Sequence, residues 1–135
     1  MKAELDDLLC KKYPKLFAQR KLSPQETCMC WGFDCGDGWF ALIDNLCSGI
    51  QFYVDHNDNV EQVEVLQVKE KFGTLRFYIS GGNDFIEGMV EMAEAISGSM
   101  CELCGSPDNI TRTEGYIRTL CGKCMKENNE SNNRV

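Results

Sequence analysis

Three features of the sequence predict an α+β fold, with helices packed on a small antiparallel β-hairpin and a C-terminal zinc-ribbon module. Residues 39–50 repeat apolar side chains at helical spacing, residues 61–80 hold two β-rich runs around Phe72-Gly73, and two Cys-x-x-Cys pairs close the chain. The 135 residues suffice for one modest core and a small appendage. We read an α+β core over 1–99, a zinc ribbon over 100–125 and a disordered tail over 126–135.

Residues 3–12 read as an amphipathic helix with Leu5, Leu8 and Leu9 on one face, ending before Pro14, and Leu16 and Phe17 follow as an apolar anchor. Residues 22–36, with Pro24, Gly32 and Gly36, read as loop or irregular strand. Asp37 stands where a helix wants an N-cap acceptor, and Trp39, Leu42, Ile43, Leu46, Cys47 and Ile50 then share one face. In the hairpin, Leu75, Phe77 and Ile79 alternate with Arg76, Tyr78 and Ser80. Val63 and Val65, or Leu66 and Val68, supply the partner side, according to register. Gly81-Gly82-Asn83 ends the sheet. Asp84 opens a helix with Phe85, Met89, Met92, Ala93 and Ile96 expected inward and Glu87, Glu91 and Glu94 outward. The two helices form a layer on the hairpin. The final "KENNESNNRV" is polar and free of aromatics, hence the disordered tail.

The strongest chemical signal is Cys101-x2-Cys104, sixteen residues, then Cys121-x2-Cys124. Each pair forms a knuckle that turns two thiolates toward one ion, and two knuckles supply the four soft ligands of tetrahedral zinc. One structural Zn2+ is expected, and a closed four-thiolate site leaves no position for substrate. Disulfides or an iron–sulfur cluster would use the same ligands, but the intervening hairpin "NITRTEGYIRTL" and a reducing compartment disfavour both. Cys28, Cys30, Cys35 and Cys47 match no closed knuckle. Cys35 precedes a helix, yet Asp34 and Asp37 oppose its thiolate, and the single histidine, His56, lies at the far end of that helix, roughly 25–30 Å away. With no phosphate loop, H-E-x-x-H or G-x-S-x-G either, the chain reads as non-enzymatic.

The net charge of −7 is unevenly distributed. Lys and Arg outnumber acids over residues 1–21, but residues 22–60 and 81–100 carry acids and no Lys or Arg at all. Binding to double-stranded nucleic acid is disfavoured, since that needs a basic stripe, and a basic partner surface is the natural complement. A second candidate surface is the outward face of the hairpin: Arg76 and Tyr78, beside Lys69 or Lys71, can hold an anion and stack a base. Trp31 and Trp39, set among glycines, are further candidates for stacking, although core packing is their simpler role. No run of residues approaches the length of a membrane span, and the N-terminus lacks the pattern of a secretory signal. Oligomeric state is left open, a homodimer included.

Taken in order, "GFDCGDGWFALIDNLC", "QVKEKFGTLRFYI" and "CELCG…TRTEGYIRTLCGKC" resemble a widespread group of small proteins encoded by bacteriophages and prophages. The resemblance covers most of residues 13–124. It implies a viral accessory protein in the cytoplasm of a bacterial host, and it transfers no catalytic residue. By analogy of context, such a protein acts in counter-defence by binding and inhibiting a host protein or by sequestering a nucleotide-derived immune signal. A third reading is a zinc-ribbon adaptor for nucleic acid or transcription, with Arg112, Arg118, Lys123 and Lys126 on one face.

Overall fold

A computed structural model describes residues 1–133. The elements run α1 (Ala3–Lys12), β1 (Phe33–Asp34), α2 (Phe40–Asp55), β2 (Glu64–Lys71), β3 (Thr74–Ser80), α3 (Asp84–Ser97), β4 (Thr111–Arg112), β5 (Thr119–Leu120) and α4 (Gly122–Asn132). The predicted hairpin is β2–β3, closed by Phe72 and Gly73 alone. Both have positive φ, 53° and 84°, the primed turn whose twist suits a two-residue hairpin. Residues 33–34, within the stretch read as loop or irregular strand, add a short parallel strand, giving the order β1-β2-β3.

The register resolves the two alternatives for β2 by using part of each. Val65 lies opposite Ile79, whereas Gln67 lies opposite Tyr78, so Leu66 forms a β-bulge. An extra residue switches which face the following side chains occupy. Val63 and Val65 before the bulge and Val68 after it are therefore all buried, and Lys69 comes to stand opposite Arg76. The amide of Val65 donates to the carbonyl of Leu16 (2.8 Å), which ties the anchor after α1 to the strand.

Two helices cover the apolar face of this sheet. On α2, Ile43, Leu46, Cys47 and Ile50 are buried, as their spacing predicts. α3 runs back along it: Tyr53 stacks on Phe85 at 4.4 Å, and the indole of Trp39 donates to the carbonyl of Met100 (3.4 Å). The inward face of α3 differs from the expected one by about one residue. Ile86, Val90, Ala93 and Ser97 are buried and Met89 is half-buried, while Phe85, Met92 and Ile96 are exposed. The reason lies at the outer edge of β3, where two amides need acceptors. Ser97 Oγ takes the N–H of Leu75 (2.8 Å) and Glu94 takes that of Phe77 (2.9 Å), so α3 seals the sheet edge only in this rotation. Glu94 thus faces the strand rather than the solvent.

At the N-terminal end, α1 buries Leu9 and Asp6 and leaves Leu8 exposed. Asp6 pairs with Arg20 (3.0 Å) and accepts from the amide of Phe33 (3.2 Å), locking α1 to β1. Residues 126–132, expected within a disordered tail, continue α4 instead. That helix is nucleated by Cys121, whose sulfur accepts the N–H of Cys124, so its polar turns extend from a fixed first turn. Arg134 and Val135, the rest of the expected tail, lie outside the described residues.

Two glycines test this account in opposite directions. A Cβ on Gly73 would strain the turn and stand 2.7 Å from Thr119 Oγ1, so Gly73→Ala is expected to cost about 1–3 kcal/mol in chemical denaturation. A Cβ on Gly88, within α3, meets nothing within 4 Å, and Gly88→Ala is expected to stabilise by about 0.5–1 kcal/mol.

Candidate metal centre

The small β4–β5 hairpin, turning through residues 114–117, brings the second Cys pair onto the first. The sulfurs of Cys101, Cys104, Cys121 and Cys124 all lie within 4.8 Å of one another. Four thiolates about a tetrahedral ion, with bonds of about 2.3 Å, would have edges of roughly 3.8 Å. The donor set and its spacing therefore fit one ion that prefers soft ligands. Burial pushes the Cys101 thiol up, but the backbone N–H groups of Cys121, Cys104 and Leu103 aimed at it prevail and bring it down to about 7. Cys101 is thus drawn toward the thiolate a metal requires, while burial and the neighbouring sulfurs push the Cys124 thiol up. Cys101, Cys121 and Cys124 are buried and Cys104 is exposed, and among the described residues no other such cluster occurs.

Glu102, inside the first knuckle, joins this module to the core. Its amide donates to the carbonyl of Thr119 (2.9 Å), its carbonyl accepts from Gly38 (2.8 Å) and its carboxylate Oε2 accepts from Gly36 (2.8 Å). The turn that leads into α2 is therefore tied down from 66 residues away. Asp37, expected as the N-cap, instead accepts the amide of Lys2 (2.8 Å). The approach is close enough to exclude a side chain. A Cβ on Gly38 would stand 2.2 Å from the carbonyl oxygen of Cys101. Glu102 is only 4% exposed, and its Oε1 has no hydrogen-bond donor, only the Arg118 guanidinium at 3.6 Å. Burial holds this carboxyl above its ordinary range against the opposing pull of Gly36 and Arg118. The Thr119 hydroxyl completes the dock by donating to the carbonyl of Gly73 (2.6 Å).

Sequence reasoning did not single out Glu102. Its signal was the pair of glycines flanking Asp37, which mark a backbone that something must approach closely. Cys35, in the same stretch, is buried, and burial pushes its thiol up to about 12, which makes it a packing residue. His56 stands exposed just past the end of α2.

The residues proposed for binding do not form one site. Lys69 and Lys71 border a cavity of about 580 Å³ between the hairpin tip and the cysteine module, shared with Glu70, Glu102, Tyr116 and Arg118. Tyr78, 43% exposed, borders a different cavity beside Gln25 and Cys28, and Arg76 lines neither, standing opposite Lys69. Trp31 is 72% exposed. Trp39 is wholly buried and offers no surface to a ligand, because its ring fills the core beneath the start of α2.

Removal of metal by a chelator, or Cys101→Ser with Cys121→Ser, is expected to abolish amide-exchange protection at Glu102 and, through it, at Gly36 and Gly38. The amide of Val65, held by the carbonyl of Leu16 in the core, should keep its protection. Unchanged protection at all these amides would show that the module holds together without an ion. Gly38→Ala, which forces the dock apart, is expected to cost about 1–3 kcal/mol in denaturant melts even with metal present. No family model matches the chain, and neither do any curated protein or solved structure.

Proposed function

We propose that this chain is a non-enzymatic, zinc-stabilised accessory protein of bacteriophage or prophage origin, acting in counter-defence in the bacterial cytoplasm by binding and inhibiting a host protein. One observation carries the reading. Asp55, Asp84, Glu87 and Glu91 are exposed on α2 and α3, while Asp44 pairs with Lys12 of α1 and Glu94 turns to β3; neither helix holds a Lys or Arg, and the layer leaves large apolar side chains exposed. A one-signed surface with apolar contacts suits a basic protein partner, steering its approach and rejecting acidic competitors. Zinc is the ion the four-thiolate set favours, and its task here is to hold Glu102 in place.

Sequestration of a nucleotide signal has weaker support. The cavity bordered by Lys69, Lys71 and Arg118 also carries Asp34, Glu70 and Glu102, so its side-chain charges balance. The adaptor reading loses Arg118, which turns to Glu102 rather than joining a basic face.

Affinity capture from a bacterial lysate tests the proposal, with native mass spectrometry of the gently purified protein alongside. One host protein should be retained at low salt and released as salt screens the contact, and the free protein should carry one zinc. A small anionic molecule that leaves only on denaturation, or retention of nucleic acid in place of a protein, would overturn it.

A further inference from the structure

We infer that the four-cysteine centre is a hydroperoxide-sensitive latch: oxidation enters at Cys104, joins it to Cys121, and releases both the ion and the turn that leads into α2. The inference is independent of which partner the chain binds. Cys104 is the one exposed member of the cluster, whereas Cys101, Cys121 and Cys124 are buried. An oxidant arriving from solvent therefore meets the Cys104 sulfur first. The sulfur of Cys121, on the other knuckle, stands 3.6 Å from it. The cluster thus supplies both an accessible sulfur to be oxidised and a neighbour to resolve the product.

The cysteines outside the cluster are set differently. Cys35 and Cys47 are buried, and burial pushes both thiols up, so they keep their protons. Burial and the Asp6 carboxylate push the half-buried Cys10 thiol up to about 12. Cys30 is half-buried and its thiol donates to the carbonyl of Thr27 (3.3 Å). Cys28 is exposed as well but lies outside the cluster, and so serves as the control.

The oxidant is a hydroperoxide. The Cys104 thiolate attacks one peroxide oxygen, the O–O bond breaks, and a sulfenic acid forms as hydroxide leaves. The Cys121 thiolate then attacks the oxidised sulfur, an S–S bond forms, and a second hydroxide leaves. The two sulfurs have given up two electrons in all, and the hydroxides take two protons from solvent to become water. A disulfide sulfur is no longer a thiolate donor, so only Cys101 and Cys124 remain for an ion that takes four ligands, and the ion is released. Exchange with a small thiol restores the set.

The fold connects this chemistry to the core. Glu102 lies inside the knuckle that Cys104 closes, with its amide, carbonyl and carboxylate bonded to Thr119, Gly38 and Gly36. The knuckle grips Gly38 at both ends, since a Cβ there would stand 2.2 Å from the carbonyl oxygen of Cys101 and 2.6 Å from the amide nitrogen of Gly105. Drawing Cys104 from 3.6 Å to bonding distance of Cys121 moves backbone that has no slack. Cys121 Sγ also accepts the amide of Cys124 at the start of α4, and a disulfide sulfur is a poorer acceptor than a thiolate.

The test treats the full-length, zinc-loaded protein with hydrogen peroxide. A zinc-sensitive dye should report one zinc ion for each disulfide formed, and peptide mapping should place that disulfide between Cys104 and Cys121. Dithiothreitol with added zinc should reverse both. In the untreated protein, Cys104 should be the first of the four to be alkylated. Amide-exchange protection at Gly36 and Gly38 should fall as zinc leaves. Cys104→His keeps three thiolates and an imidazole for zinc, and should abolish the disulfide and slow release by about tenfold, whereas Cys28→Ser should leave the rate unchanged.

A disulfide within either knuckle or between Cys28 and Cys30 in place of Cys104–Cys121 would overturn the latch. So would zinc kept while peroxide oxidises Cys28, release from Cys104→His as fast as from the wild type, or unchanged protection at Gly36 and Gly38 after release. Should Cys104→His bind no zinc, the disulfide map and the order of alkylation in the wild-type chain decide by themselves.

Discussion

Glu102 stands between two thiols of the metal cluster and the first turn of α2, and its amide, carbonyl and carboxylate are all committed there. A hydrogen bond to a buried carboxylate contributes about 1.5–3 kcal/mol, and leaving a buried acceptor without a donor costs about 1–3 kcal/mol. For Glu102 these two effects nearly cancel, because Oε2 has the amide of Gly36 and Oε1 has only the more distant Arg118. The dock is therefore held by the rigidity of the knuckle more than by the strength of its own bonds. Metal binding by four thiolates, on the order of 10 kcal/mol or more, can supply that rigidity. The glycines on either side of Asp37 follow from this constraint, because the amides of Gly36 and Gly38, in the turn that leads into α2, are met from the other module.

The same economy of polar groups decides how the core is assembled. β3 is an edge strand with open amides, and α3 turns Ser97 and Glu94 onto two of them. Once those contacts are made, the rotation of α3 is set. Ile86, Val90 and Ala93 go to the sheet and a second apolar stripe is left facing outward. A bulge at Leu66 keeps Val65 and Val68 on one face, and the buried Asp6–Arg20 pair binds α1 to the loop before β1. Polar satisfaction thus chooses among packings that apolar pattern alone leaves equivalent.

This choice also bears on function. It leaves Met92 and Ile96 exposed in a layer of two helices that hold no Lys or Arg, the feature on which the proposed protein-binding role rests. The cysteine module stabilises that layer from a distance by fixing where α2 begins. The cavity beside it is lined by three acidic and three basic side chains. Metal centre and candidate interface are separate features, joined through Glu102 and the length of α2.

The sequence by itself determined what depends on local spacing: the helical face of α2, the two-residue turn at Phe72-Gly73, and the four cysteines that could hold a metal ion. Each is set within a few residues of chain, where backbone geometry translates period directly into position. The tertiary structure alone decided the rotation of α3, the bulge at Leu66 and the reach of Glu102 to Gly36 and Gly38. It also decided the helical turns after Cys124, which the polar composition of residues 126–132 does not favour and the anchored first turn of α4 supports. All of these turn on which distant group satisfies a buried amide or anchors a helix end. Periodicity carries no record of that, because the two groups meet only after the chain has folded.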